Sequence, residues 1–303
     1  MTRVSLITRG SWALCTLLMA GVCAVDASRA MDEVPPRERI GVLVIAHGGT
    51  ERWNGQIHHA VKNAHVMHPT EVALGMGMHP EEVRLLQHAV DRLERRAIAR
   101  IIVVPLFISS SSEVYRQFEY LFGQRQEASW PEAGHPLRLT VPVVIGHALD
   151  DHPVVSAIVL KRAKRLSRRP AEETVVLIAH GPNDDADNAR WMETMLRLVA
   201  IVKREGTFHD VIPLTMRDDA ASVVRDQATA QLRTTVQRVV AEGRRALIIP
   251  LLLAQGGIER KIPQRLAGLT YVYSGETLLP DPKVAQWIAA QVEELSSATG
   301  NGR

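Results

Sequence analysis

Two closely similar apolar runs, VLVIAHGG at 42–49 and VVLIAHGP at 175–182, constrain the fold of this chain more than any other feature. An unbroken Val/Ile/Leu/Ala run that ends on His-Gly reads as a strand buried on both faces, with a polar loop at its carboxyl end. The run does not stand alone in either half. RIIVVPLFISSSS at 100–112 and ALIIPLLLAQGG at 246–257 repeat the same design, as do ALDDHPVVSAIVLKRA at 148–163 and TLLPDPKVAQWIAAQV at 277–292. Three matches in one order mark an internal duplication. The offsets between matched positions differ, as expected if loop residues were gained or lost between the copies.

Helical periodicity fills the gaps between the strands. In PEEVRLLQHAVDRLERRA at 80–97, Val83, Leu86, Val90 and Leu93 recur at three- and four-residue spacing behind Pro80 and two glutamates, the signature of an amphipathic helix start. Further helices are expected over 113–122 and about 187–204. Alternating strands and helices imply parallel sheets with helices on both faces, and ligands then bind outside the carboxyl ends of the strands. Both His-Gly loops fall at that edge, so two facing lobes would enclose a cleft. Lobe limits of 38–150 and 171–296 follow. The basic stretch KRAKRLSRRP at 161–170 between them reads as a helix end and linker with a solvated charged face.

A length of 303 residues accommodates two such units, and 46% hydrophobic with 23% charged residues is the composition of a folded globular chain. The net charge of +3 lacks the dense basic face that nucleic-acid binding requires. Neither strand is followed by G-x-G-x-x-G, so a nucleotide cofactor is not expected, and no G-x-S-x-G elbow supports a serine hydrolase.

The first thirty residues form a separate unit. Arg3 and Arg9 precede an apolar stretch from about Trp12 to Val25 and then small residues, the pattern of a secretory signal over 1–30. The apolar run is shorter than the ~20 residues a spanning helix needs, which disfavours an uncleaved anchor. An exported, periplasmic protein without a membrane span after cleavage is therefore expected. Both cysteines, Cys15 and Cys23, lie in this leader, so any metal ligands of the remaining chain must be His, Asp or Glu.

His47, at the end of the first strand and followed by Gly48 and Gly49, is the leading functional residue; the two glycines are expected to let the backbone turn sharply and leave the imidazole open to a ligand. His180 repeats the arrangement with Gly181 and Pro182. Glu113 closes the serine-rich loop at a helix start, where it is either a helix N-terminal acid or, with His47, half of a metal pair that can also accept protons. His79, in the GMGMHP loop, is a further ligand candidate.

IAHGG, the amphipathic helix and VVPLFISSSSEVYRQFEYLFG, repeated with IAHGP and IIPLLLAQGGIE, resemble the sirohydrochlorin chelatase family of class II chelatases over nearly the whole chain after the leader. The resemblance implies an α/β fold of two similar chelatase-like lobes, each a parallel sheet with helices on both faces, facing a cleft. It also implies ATP-independent insertion of a divalent metal, Co²⁺ first, with Fe²⁺ or Ni²⁺ as alternatives, into a sirohydrochlorin-type tetrapyrrole. Metal-holding and proton relay then fall to His47, and a second role falls to Glu113, with His180 or His79 completing the set. Members of the family carry another histidine in the loop after the PLF strand, where this chain has Ser109, Ser110, Ser111, Ser112 and Glu113. Arg52, Arg116, Arg217 and Arg260 are the cations expected to hold the macrocycle's carboxylates. The export signal and the missing histidine leave open an exported metal- or tetrapyrrole-binding protein without turnover, and homo-oligomerisation is undetermined.

Overall fold

The computed structural model of the protein describes residues 39–298, and the leader of the sequence reading lies outside them. Two four-stranded, all-parallel sheets account for the duplication. The first has the order β2-β1-β3-β4, with β1 Ile40–Ala46, β2 Thr70–Leu74, β3 Arg100–Leu106 and β4 Val143–Ile145. The second repeats it as β6-β5-β7-β8, with β5 Glu173–Ala179, β6 Asp210–Thr215, β7 Arg245–Leu251 and β8 Val272–Tyr273. Eight α-helices are described: α1 Glu51–Asn63, α2 Pro80–Glu94, α3 Glu113–Leu121, α4 Pro153–Leu166, α5 Asp185–Gly206, α6 Ser222–Ala241, α7 Ile258–Arg265 and α8 Pro282–Ala298.

The apolar strands are central, and register shows why they must be apolar throughout. β1 pairs with β2 and β3, placing Val44 opposite Val72 and Val104; β5 pairs in the same way with β6 and β7. Alternate residues then serve different cores. Leu43 and Ile45 face the packing of α2 and α3, and Val176 and Ile178 face that of α6 and α7. Val42, Val44, Val175 and Leu177 turn to the opposite face, where one continuous core joins the two sheets.

That shared core is closed by exchanged helices. α4, which follows β4 of the first sheet, packs on β7 and α5 of the second; α8, which follows β8, packs on β3 and α1 of the first. Ile158 and Val159 of α4 and Trp287 and Ile288 of α8 are all at most 1% exposed. Each lobe thus buries its inner face under the other's last helix, and the lobes fold as one body. In the basic stretch 161–170, Lys161, Lys164, Arg165, Arg168 and Arg169 are exposed, as a solvated face requires, and the exchange departs from that reading only at Arg162, which is buried within 3.9 Å of Asp281 and 3.8 Å of Glu276 just before α8.

In each sheet β1 or β5 is flanked by strands whose connections leave in opposite directions. The carboxyl end of that central strand is the position where an open α/β sheet forms a crevice.

Candidate functional site

A cavity of about 570 Å³, within the range of small-molecule sites, opens at the carboxyl ends of both sheets. His47, Glu113 and His180 all line it. The sequence therefore brings the two motif histidines and the glutamate to one place, from β1, from the start of α3 and from β5.

The histidines differ in their partners. His47 Nδ1 lies 2.5 Å from the carbonyl of Gly48; a carbonyl only accepts, so Nδ1 carries the proton and Nε2 keeps the lone pair. The ring is exposed and stands edge-on to Trp53, with centroids 5.9 Å apart. His180 Nδ1 donates to the Gly181 carbonyl at 2.9 Å, while Nε2 meets the Asp219 carboxylate at 3.2 Å. Both nitrogens of His180 thus face acceptors. Burial pulls the His180 pKa down, but the bond to Asp219, that carboxylate's charge, the Gly181 carbonyl and Asp218 outweigh it and leave the pKa raised. Asp219 is held below the usual carboxylate range, chiefly by its bond to His180 and further by the nearby charges of His180 and Lys261, against the opposing effect of burial.

Asp219 is a cavity residue that the sequence reading missed. It follows β6 in the segment TMRDD, and Asp218 beside it is tied to Lys261 and Arg265 of α7. The sign available in the sequence was a pair of acids just after the run DVIPLT, at the carboxyl edge of a strand. The first lobe uses the equivalent loop differently. After β2, Met76 and Met78 line the cavity, held by Glu82, which accepts from the Met78 amide at 2.9 Å, and by buried Gln117, which donates to the Gly77 carbonyl at 2.9 Å.

The glycines work through space rather than through an unusual turn at Gly48 and Gly49, a correction to the expected sharp bend. Neither has a positive φ; a side chain on Gly48 would come within 3.4 Å of the Gly75 amide, and one on Gly49 within 3.1 Å of the Trp53 ring. In the second lobe Gly181 does adopt φ +75°, and a β-carbon there would lie 2.6 Å from Thr215.

The remaining predicted site residues lie outside the cavity lining. His79 is exposed at the start of α2. Arg116 makes a two-pronged bond to Asp187 of α5, each contact 2.7 Å, and joins the lobes instead of meeting a ligand. Arg217, itself at φ +49° and 8% exposed, donates to the Pro182 and Asn183 carbonyls and to Asp185, fixing the loop after His180. Arg52 and Arg260 are exposed in the first turns of α1 and α7. Among the described residues no three His, Cys, Asp or Glu side chains are close enough to hold one metal ion.

The body of the cavity is aromatic and aliphatic. Trp53, Trp130 and Trp191 line it with Phe107, and Leu251–Ala254 form its floor. In the sequence these tryptophans are scattered over three segments, and nothing in their local spacing announces that they converge.

The CbiX family model matches residues 41–166 and again 174–295. Among solved structures, SirB from Bacillus subtilis, determined with Fe³⁺, is similar in fold at a TM-score of 0.61 and 17% identity, covering 87% of this chain and 98% of SirB. DR2241 from Deinococcus radiodurans, described as a multi-domain protein with structural similarity to chelatases, has a TM-score of 0.51 and 15% identity; the match covers 84% of this chain and 55% of DR2241. No curated protein sequence matches closely enough to count as a relative. With the family model matched twice, once on each lobe, the chain belongs to the CbiX family.

Proposed function

We propose that the protein inserts a divalent metal ion, Co²⁺ or Fe²⁺, into a tetrapyrrole held in the interlobe cavity. The observation that carries this reading is one apolar, aromatic cavity that combines a lone-pair imidazole nitrogen on His47 with the carboxylates of Glu113 and Asp219. Family membership and the fold shared with SirB support it. Sirohydrochlorin is the tetrapyrrole to which the sequence resemblance leads.

Insertion exchanges ligands on the metal and releases two pyrrole N–H protons. His47 Nε2 takes the incoming cation, because neutral imidazole is a good ligand for these ions and its tautomer is already set by the Gly48 carbonyl. Once the metal passes to the pyrrole nitrogens, the same Nε2 is free to accept one proton, and Glu113 is placed to accept the other. His180 stays paired with Asp219, which keeps that carboxylate ionised at the wall. A substrate metal must leave, so a few scattered handles suit the task better than a closed set of three or four ligands.

That same scattered set favours a second reading, in which the protein holds a metal or tetrapyrrole without turnover. The two separate in one assay. Purified protein is mixed with Co²⁺ and metal-free sirohydrochlorin or porphyrin, and the absorbance change is followed against the spontaneous rate. Acceleration supports insertion; binding with no acceleration supports the carrier. We further propose export to the periplasm with removal of the leader. Mass spectrometry of the protein expressed in a bacterium should find a chain shortened by about 30 residues, and an intact amino terminus would contradict it.

A further inference from the structure

The three tryptophans that line the cavity are held there in two different ways. Trp53 and Trp191 are each 9% exposed and belong to the apolar core that joins the two sheets, so core packing accounts for their position. Trp130 is only partly buried and, among the described residues, belongs to none of the three apolar cores. A large apolar ring set in a cavity wall outside any core keeps surface in water, which folding alone does not favour. The chain places it through the backbone instead.

Trp130 sits on the connection between α3 and β4, residues 122–142, whereas the matching connection of the second lobe, between α7 and β8, spans only 266–271. The longer segment is pinned along its length. The Leu137 amide donates to the Leu121 carbonyl at 2.8 Å, and the Tyr120 hydroxyl to the Gly134 carbonyl at 3.2 Å. Gln87 of α2 donates to and accepts from the Arg138 backbone, each bond 2.9 Å, and Glu94 accepts from the Thr140 amide at 2.7 Å. At the cavity end Gln117 of α3, fully buried, accepts from the Ser129 and Trp130 amides at 2.9 and 3.1 Å while it donates to the Gly77 carbonyl. Counted from the helix caps, Ser112 and Gly257, the second lobe has buried Ile262 at the position of Gln117. A buried amide in place of an aliphatic side chain is costly unless its bonds are made, and here those bonds fix the backbone on either side of Trp130.

We propose that Trp130 is the ring against which the tetrapyrrole stacks, and that Gln117 is the positioning residue that presents it. The inference rests on the tetrapyrrole reading above. A conjugated macrocycle offers a broad π face, and an indole that the core leaves uncovered is a stacking partner for it, as aromatic side chains are for nucleic-acid bases. Stacking acts on the body of the ring and makes no demand on the number of its carboxylates. Gln117 lies one turn beyond Glu113, so α3 carries both the carboxylate of the site and the anchor of its aromatic wall.

Binding is read from the fluorescence anisotropy of metal-free sirohydrochlorin titrated with the full chain, and insertion from the initial rate with Co²⁺. W130A should weaken macrocycle binding about tenfold and raise KM for sirohydrochlorin by a similar factor, with KM for Co²⁺ unchanged. W130F, which keeps a ring, should stay within about threefold of wild type. Q117M keeps the buried volume and removes the bonds; it should weaken binding about fivefold alone but less than about twofold in the W130A background, because it acts through Trp130. W130A binding as tightly as wild type, or W130F as weakly as W130A, would overturn the stacking assignment. A Q117M variant that changes nothing, weakens binding equally in both backgrounds, or does not fold would overturn the positioning role and leave Trp130 to the first comparison. If wild type and W130A bind and metallate sirohydrochlorin alike, the inference fails and the tetrapyrrole reading stands. A wild type that binds no macrocycle sinks that reading and the inference with it.

Discussion

His180 and Asp219 meet at 3.2 Å on the cavity wall, and that bond is the main cause holding Asp219 below the usual carboxylate range. The pair converts the second copy of the His-Gly motif into something unlike the first. His47 keeps a free lone pair, whereas His180 holds its proton between two acceptors. Duplication supplied two identical strand ends, and the loop after β6 made them chemically different.

This difference predicts a pH dependence. The His180 pKa is raised on folding, so its contribution to stability is complete below the unfolded value near 6.5 and is lost as pH rises through the folded value. Asp219 has the opposite sign: its contribution is present above the unfolded carboxylate value and is lost as pH falls through the lowered one. The pair therefore stabilises most between about pH 4 and 6.5. In D219N the His180 titration followed by NMR should move to lower pH, and the stability difference from wild type should shrink as pH rises above the unfolded histidine value of about 6.5. An unmoved His180 titration would contradict the pairing.

The lobes are tied by Arg116 and Asp187. The carboxylate is fully buried and also receives Arg190, so R116Q leaves it short of one two-pronged partner. Removing one member of a buried pair costs about 3–5 kcal/mol, and because Arg116 is a quarter exposed the lower end, about 3 kcal/mol, is expected. Urea denaturation of wild type and variant measures it. A loss under about 0.5 kcal/mol would place the pair among ordinary surface contacts.

Gly181→Ala tests the backbone of the second motif. At φ +75° any β-carbon is strained, and here it would also strike Thr215. A loss of more than about 1 kcal/mol is expected from thermal unfolding. Gly48→Ala, at a negative φ and with 3.4 Å of clearance, should cost less.

Much of the scaffold was legible because its signals are local. β1, β3, β5 and β7 announce themselves as apolar runs since both faces of each are buried, and α2 shows its face by periodicity. The strands that the reading missed have weaker patterns. β2 and β6 are edge strands, with β2 half-exposed throughout, and β4 and β8 span three and two residues. The exchange of α4 and α8 could not be read, because an amphipathic helix shows which face is buried but not which sheet covers it. The site divides along the same line. His47, His180 and Glu113 are visible as strand and helix ends, whereas Asp219 and the tryptophans belong together only after the two lobes close on a shared core.

The most direct test of a single cavity working across both lobes is the initial rate of Co²⁺ insertion into a tetrapyrrole by wild type, H47A and H180A, with circular dichroism confirming that each variant is folded. H47A removes the metal handle and one proton acceptor and should lose on the order of 10²-fold. H180A leaves Asp219 without its partner and should lose less, but measurably, from the opposite lobe. A wild type no faster than the spontaneous reaction, or an H47A variant as fast as wild type, would contradict the account.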